Sequence, residues 1–140
     1  MSVYLDASVL VALFTNDPLT ARADAFLRGE TPMLIVSDFA AAEFASAIAR
    51  RVRTGDLTAD DARAGFANFD AWTARATRRE TTSPADVAAA EAFLRRLDLT
   101  LRTPDAINIA IAQRAGAALL TFDDKMAASA RSLGTGVATT

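Results

Sequence analysis

The chain contains no cysteine and no histidine. Without cysteine there is no disulfide framework, no thiolate nucleophile and no zinc–thiolate site. Without histidine the commonest general base is missing. The Ser-His-Asp and Cys-His arrangements and every imidazole metal site go with it. Lysine is nearly absent too: Lys125 stands beside fourteen arginines. Aromatic residues make up 7% of the chain, with one Trp and one Tyr. No apolar run approaches the roughly 20 residues of a membrane span. The opening MSVYLD lacks the basic stretch of a signal peptide. These absences lead to the expectation of a soluble, cytoplasmic protein. Its chemistry, if any, must use carboxylates, hydroxyls, arginine, one lysine and a hard metal ion.

What is present has an ordinary globular balance. Of 140 residues, 51% are hydrophobic and 23% charged, enough to bury a core in one domain, residues 1–140. A net charge of −2 leaves no overall basic footprint for nucleic acid. Arginine suits bidentate contact with phosphate or carboxylate. An Arg- and Ala-rich composition is, however, more often a trace of genome base composition.

Short apolar runs alternate with helical patterns. Val3–Leu5, Met33–Val36, Arg78–Thr82 and Ala118–Thr121 read as strands, and Gly136–Thr139 as a final edge strand. Ala7–Phe14 reads as a buried helix and Leu19–Arg28 as a helix stopped by Gly29. Ser37 or Asp38 caps a helix from Phe39 to about Arg53, with Gly55 just beyond. Thr58-Ala59-Asp60-Asp61 opens a helix towards Ala76. Ser83-Pro84-Ala85-Asp86 starts one that runs to about Leu97. Thr103-Pro104-Asp105 starts one closed by Gly116, and Lys125–Leu133 forms the last. Apolar strands separated by helices predict an α/β fold with a short, mainly parallel sheet covered on both faces.

In such sheets ligands bind beyond the carboxyl ends of the strands. Asp6 ends the first strand, and Asp123 follows the ALLT run. Asp105 lies in the first turn of its helix, and Glu43 about one turn into the helix after MLIV. Each acid alone has an ordinary reading as a cap, turn or solvated helix residue. Four around one strand edge are less easily explained that way. Clustered carboxylates repel unless neutralised, and with one lysine and no histidine the natural neutraliser is a divalent cation. An all-oxygen set selects Mg²⁺ or Mn²⁺. Such an ion supports phosphodiester hydrolysis through a bound water.

Three segments carry a resemblance: VYLDASVLVALF (Val3–Phe14), SDFAAAEFASAIAR (Ser37–Arg50) and LRTPDAINIAIAQRAGAALLTFDDKM (Leu101–Met126). In this order they resemble the PIN-domain ribonucleases, specifically VapC-type toxins of toxin–antitoxin pairs. The resemblance implies a PIN-like α/β/α sandwich and a Mg²⁺- or Mn²⁺-dependent ribonuclease. It makes Asp6 and Asp105 the principal metal ligands, and Glu43 and Asp123 the rest of the acidic quartet. Ser8 becomes a hydroxyl for water or phosphate, and Thr121 a hydroxyl behind Asp123. Asp124 either assists or serves the helix start. The family often has a histidine where Asn108 stands, a departure expected not to touch the quartet. The partners implied are an RNA substrate, a cognate antitoxin and a second copy in a homodimer. Two arginine groups, Arg50/Arg51/Arg53 and Arg75/Arg78/Arg79, are candidates for phosphate contact. Phe66, Phe69 and Trp72 are expected in the core or a dimer interface.

A haloacid-dehalogenase-type phosphatase wants a second Asp where Ser8 stands. A receiver domain wants an acidic pair after the first strand, and Asp6 has no acidic neighbour. A catalytically silent PIN-like protein that only dimerises or binds antitoxin would be expected to have lost acids, and all four remain.

Overall fold

β1 (Ser2–Leu5) is the central strand of a four-stranded parallel sheet. It is flanked by β2 (Met33–Ser37) and β4 (Ala118–Leu120), with β3 (Thr77–Glu80) outside β2, giving the order β3-β2-β1-β4. Val3 pairs with Leu34 on one side and with Ala118 on the other. The helices are α1 (Ala7–Phe14), α2 (Thr20–Arg28), α3 (Asp38–Arg53), α4 (Ala59–Ala76), α5 (Pro84–Arg95), α6 (Thr103–Arg114) and α7 (Asp124–Ser132). This computed structural model describes residues 1–29 and 32–139. Among them no helix is long and apolar enough to cross a membrane.

The expected fold class is observed. Val3, Tyr4 and Leu5 are all fully buried, so β1 is covered on both faces, as its unbroken apolar run requires. α1 packs against α2, α3 and α4, and α5 against α6. Phe14 makes edge-on contacts with Phe44, Phe69 and Trp72 at centroid distances of 6.0, 5.6 and 5.5 Å. Phe66 meets Phe44 at 6.0 Å. The Phe66/Phe69/Trp72 stripe therefore faces the core rather than a stacking surface for bases.

Some boundaries differ from the sequence reading. α5 ends at Arg95, not Leu97, because Leu97 turns left-handed at φ 66° and leaves the helical path. β3 is shifted to Thr77–Glu80, directly continuing α4. The expected strand at Gly136–Thr139 is reduced to one parallel bridge, Val137 beside Leu119. Gly116 does close α6, at φ 66°, a conformation glycine adopts without a Cβ clash.

One arginine locks the far side of the sheet. Arg114 on α6 donates to both oxygens of Asp86 on α5, at 2.8 and 2.9 Å, and to Glu80 of β3 at 2.7 Å. Asp86 also accepts from the Ser83 backbone N–H at 2.8 Å, completing the start of α5.

Candidate active site

The chain runs β1, β2, β3 in one direction and then returns to place β4 on the other side of β1. The order reverses between β1 and β4, which is where open α/β sheets form a crevice at their carboxyl edge. Asp6 leaves β1 at this point. Its N–H donates to the Leu120 carbonyl at 3.2 Å, so the carboxylate is aimed by the sheet itself. It also caps α1: Oδ1 accepts from the Val9 N–H at 3.3 Å.

Asp6 is 5% exposed, and two further bonds fix it. Ser8 Oγ donates to Oδ1 at 2.6 Å, and Thr121 Oγ1 donates to Oδ2 at 2.5 Å. Ser8 in turn accepts from the Phe122 N–H at 3.0 Å. Thr121 likewise accepts from the Asp123 N–H at 3.0 Å. Burial pushes the Asp6 carboxyl above the ordinary carboxylate range, and the hydroxyl and backbone donors only partly offset this.

Glu43 enters from α3, half-buried. Burial raises its carboxyl too; the Asn108 amide opposes the rise, and the negative charges of Asp6 and Asp105 add to it. Those two charges place Asp6, Glu43 and Asp105 in one electrostatic neighbourhood. Asp105 stands in the first turn of α6, where Oδ2 accepts from the Arg102 N–H at 3.2 Å. Asp123 caps α7 by accepting from the Lys125 and Met126 N–H groups, both at 3.0 Å. Asp124 is exposed as the first residue of α7.

Two clefts lie beside Glu43, Asp105 and Asp123. One, of about 810 Å³, is lined by Glu43, Ser46, Arg50, Arg53 and Arg102, among others. The other, of about 420 Å³, is lined by Arg102, Asp105, Asp123 and Lys125 with Leu99–Leu101. Arg102 borders both. An apolar hollow of about 610 Å³ lies elsewhere, by Met1, Pro32 and Ala118, where the strands begin. It holds no acid.

A family model described as PIN domain matches residues 3–132. The chain belongs to the PIN-domain family. No curated protein matches it. Among solved structures, the PIN chain is similar to VapC20 of Mycobacterium tuberculosis, a sarcin–ricin-loop-cleaving toxin. The identity is 21% over 91% of this chain and 94% of that one, with a TM-score of 0.74. VapBC2 of Rickettsia felis, bound to a fragment of its promoter DNA, matches at 13% identity over 99% and 98%, TM-score 0.72. FitAcB of Neisseria gonorrhoeae matches at 15% over 98% and 96%, TM-score 0.70. At these identities the likeness establishes a shared fold. Family membership removes the phosphatase and receiver readings.

The donor set of this PIN site is all oxygen, the chemistry that suits Mg²⁺ or Mn²⁺. Glu43, raised by burial and by the charges of Asp6 and Asp105, with Asn108 and Arg102 opposing the rise, fits a site completed by a cation. Among the described residues no three carboxylates lie close enough to enclose an ion by themselves. A magnesium-type ion usually takes one or two carboxylates and keeps several waters. The residues therefore fit such an ion with its remaining positions open.

Ser8 gives its proton to Asp6 and accepts from the Phe122 N–H, which leaves one oxygen lone pair for the water or phosphate expected there. Three expectations need correction. Thr121 is not only behind Asp123; its proton goes to Asp6, the stronger acceptor. Arg51 is not free for phosphate, being held by Asp17 at 2.8 Å and Thr15 at 3.2 Å. Asn108 does touch the quartet, donating to Glu43 Oε1 at 2.6 Å. The sequence carried a hint of this: Asn108 is the one polar residue inside the apolar stretch AINIAIA. Tyr4, the sole tyrosine, sits in a fully buried strand and must find a partner for its hydroxyl. Neither residue stood out as functional when read alone.

Proposed function

We propose that this PIN domain is a divalent-metal-dependent endoribonuclease and the toxin of a toxin–antitoxin pair. The observation that carries the reading is a pair of clefts that share Arg102, one lined by Glu43 and further arginines, the other by Asp105 and Asp123, with the charges of Asp6 and Asp105 felt at Glu43. Asp6, Glu43, Asp105 and Asp123 would hold Mg²⁺ or Mn²⁺. When bound, such an ion supplies charge neutralisation at the scissile phosphate and a more acidic water.

The chain's own residues do the rest. Ser8 and Thr121 restrict Asp6 to one orientation. Arg50, Arg53 and Arg102 attract the phosphates on either side of the scissile bond, against the acidic total of the chain. Lys125, on the wall of the smaller cleft, neutralises charge near Asp123. Asp124 supports only the start of α7.

The neighbouring structures supply the biological setting. One is a toxin that cleaves a ribosomal RNA loop, and VapBC2 is bound to its own promoter. In line with those neighbours we propose RNA as substrate and a cognate antitoxin as inhibitor; the homodimer and the cytoplasm are proposed from the family resemblance of the sequence. A catalytically silent PIN-like protein is the second reading. The full acidic set and the arginine-lined cleft speak against it.

The test is cleavage of total RNA by purified protein with Mg²⁺ or Mn²⁺. Cleavage is expected to stop with EDTA and in Asp6→Ala or Asp105→Ala. Cleavage that survives EDTA, or full activity in both variants, overturns the metal mechanism. A folded wild-type protein inert towards RNA with either metal supports the silent reading.

A further inference from the structure

A chain of buried hydrogen bonds runs from the start of α3 to Glu43 through two other elements. Ser37 Oγ caps α3 by accepting the Ala40 N–H at 2.9 Å. The Ser37 and Tyr4 hydroxyls lie 2.6 Å apart. Tyr4 Oη donates to Asn108 Oδ1 at 2.5 Å. Asn108 Nδ2 donates to Glu43 Oε1 at 2.6 Å and to the Pro104 carbonyl at 2.9 Å. Ser37 and Tyr4 are fully buried, and Asn108 is 2% exposed.

The hydrogen positions follow by elimination. The Pro104 carbonyl only accepts, so the nitrogen of the Asn108 amide faces it and Glu43. Its oxygen then faces Tyr4, which must donate its single proton there. The proton between Tyr4 and Ser37 therefore comes from Ser37. The Ser37 oxygen remains free to accept from Ala40. Each donor has one acceptor, and water has no access to compete.

At the end of this chain stands a carboxylate under strain from its neighbours. The charges of Asp6 and Asp105 act against the ionised form of Glu43, and Arg102 acts for it. Among the described residues the Asn108 amide is the only donor that holds it. Glu43 Oε2 is left unbonded there, available to a ligand or water.

Building on the nuclease reading, we propose that Ser37, Tyr4 and Asn108 are positioning residues: a one-way relay that keeps Glu43 turned into the acidic site. The relay fixes one Glu43 oxygen so that the other is presented in a single orientation. Partners of this kind, one shell out from a ligating group, typically change metal affinity or activity by 10–100-fold when removed.

The test uses Tyr4→Phe, which deletes one oxygen, and Asn108→Leu, which removes the amide at similar volume. The full-length protein is assayed for RNA cleavage, Mn²⁺ affinity by calorimetry, and urea stability. Tyr4→Phe and Asn108→Leu are expected to lower kcat about tenfold or more, with KM for RNA within twofold, and to weaken Mn²⁺ binding about tenfold. A third measurement does not depend on nuclease activity. The chain has three asparagines, Asn16, Asn68 and Asn108, so ¹⁵N-asparagine labelling gives three side-chain amide pairs. The Asn108 pair is expected to exchange slowly with solvent, and to exchange rapidly or shift in Tyr4→Phe and Glu43→Gln. Folded variants with unchanged kcat and Mn²⁺ affinity overturn the positioning role. An Asn108 amide that exchanges as fast as the other two in the wild type overturns the relay itself. A wild type with a protected Asn108 amide but no Mn²⁺ binding and no RNA cleavage keeps the relay and overturns the nuclease reading.

Discussion

Thr121 donates its hydroxyl proton to Asp6 across the gap between β4 and β1, at 2.5 Å. The two residues are 115 positions apart in the chain and adjacent at the point where the strand order reverses. The bond closes the sheet's carboxyl edge over the acid that leads the proposed site. Replacing the hydroxyl by a methyl in Thr121→Val keeps the side-chain shape and leaves Asp6 one donor short. RNA cleavage is expected to fall 10–100-fold, with a stability loss of about 1–3 kcal/mol. Rate measurements beside urea unfolding decide it; an unchanged rate would remove Thr121 from the site.

Burial raises the pKa of the Asp6 carboxyl, and the Ser8, Thr121 and backbone donors only partly offset it. With its folded pKa above the unfolded value, the group favours folding below the ordinary carboxylate range. That contribution is lost as pH rises through the raised pKa. In EDTA, Asp6→Asn is therefore expected to be more stable than the wild type at pH 7, with the difference shrinking towards pH 4. The same variant is expected to be inactive. Urea titrations at the two pH values check this; a variant less stable at pH 7 than at pH 4, relative to wild type, contradicts it.

A bound cation would offset both the burial of Asp6 and the charges that Asp6 and Asp105 exert on Glu43. Adding Mg²⁺ or Mn²⁺ at neutral pH is expected to raise the melting temperature. At an ion concentration 100 times Kd the gain is about 2.7 kcal/mol. The shift should vanish in the double variant Asp6→Asn/Asp105→Asn. Equal shifts in wild type and double variant would place the ion elsewhere.

The arginines of the larger cleft divide into two kinds. Arg51 is tied to Asp17 and Thr15, so Arg51→Ala is expected to lower stability, by roughly 1 kcal/mol. Arg50, Arg53 and Arg102 line the cleft beside Glu43. Alanine at each is expected to weaken RNA binding with little change in stability, and to reduce the salt slope of binding by about 1. Filter binding across a salt series by a metal-free, inactive variant separates the two kinds.

Acid sensitivity is expected from the other end of the sheet. Burial of Asp86 works upward on its carboxyl, but Arg114 and the Ser83 backbone outweigh it and hold the pKa below the ordinary value. That pair stabilises above the unfolded pKa and is lost as pH falls through the folded one. Arg114→Met is expected to destabilise at pH 7 by about 2 kcal/mol or more. The loss should diminish below roughly pH 4. A pH-independent loss would assign the effect to packing.

Much of the architecture was legible because it is local. Ser37, Thr58 and Asp123 sit as caps, Gly116 closes α6 at positive φ, and unbroken apolar runs became buried parallel strands. The acids were legible as placements: Asp6 and Asp123 at strand ends, Asp105 and Glu43 near helix starts. The boundary error at Leu97 came from a conformation that leucine propensity gives no reason to expect.

The absence of cysteine and histidine, and the spacing of the acids, were enough to determine which chemistry this chain has available. They removed thiolate and imidazole chemistry and left carboxylates, hydroxyls, arginine and one lysine, the set from which we propose a hard-cation site. Only the tertiary structure decided what each polar group spends its hydrogen bonds on. Ser8 and Thr121 turn inward to Asp6, Arg51 is taken by Asp17, and Asn108 is fixed between Tyr4 and Glu43. Such partners are 34 to 115 residues apart for every one of these contacts except Ser8 to Asp6. Periodicity and propensity act over a few residues. Partner choice in a buried site is set by which donors and acceptors the fold brings together and by the penalty for leaving any one of them unpaired.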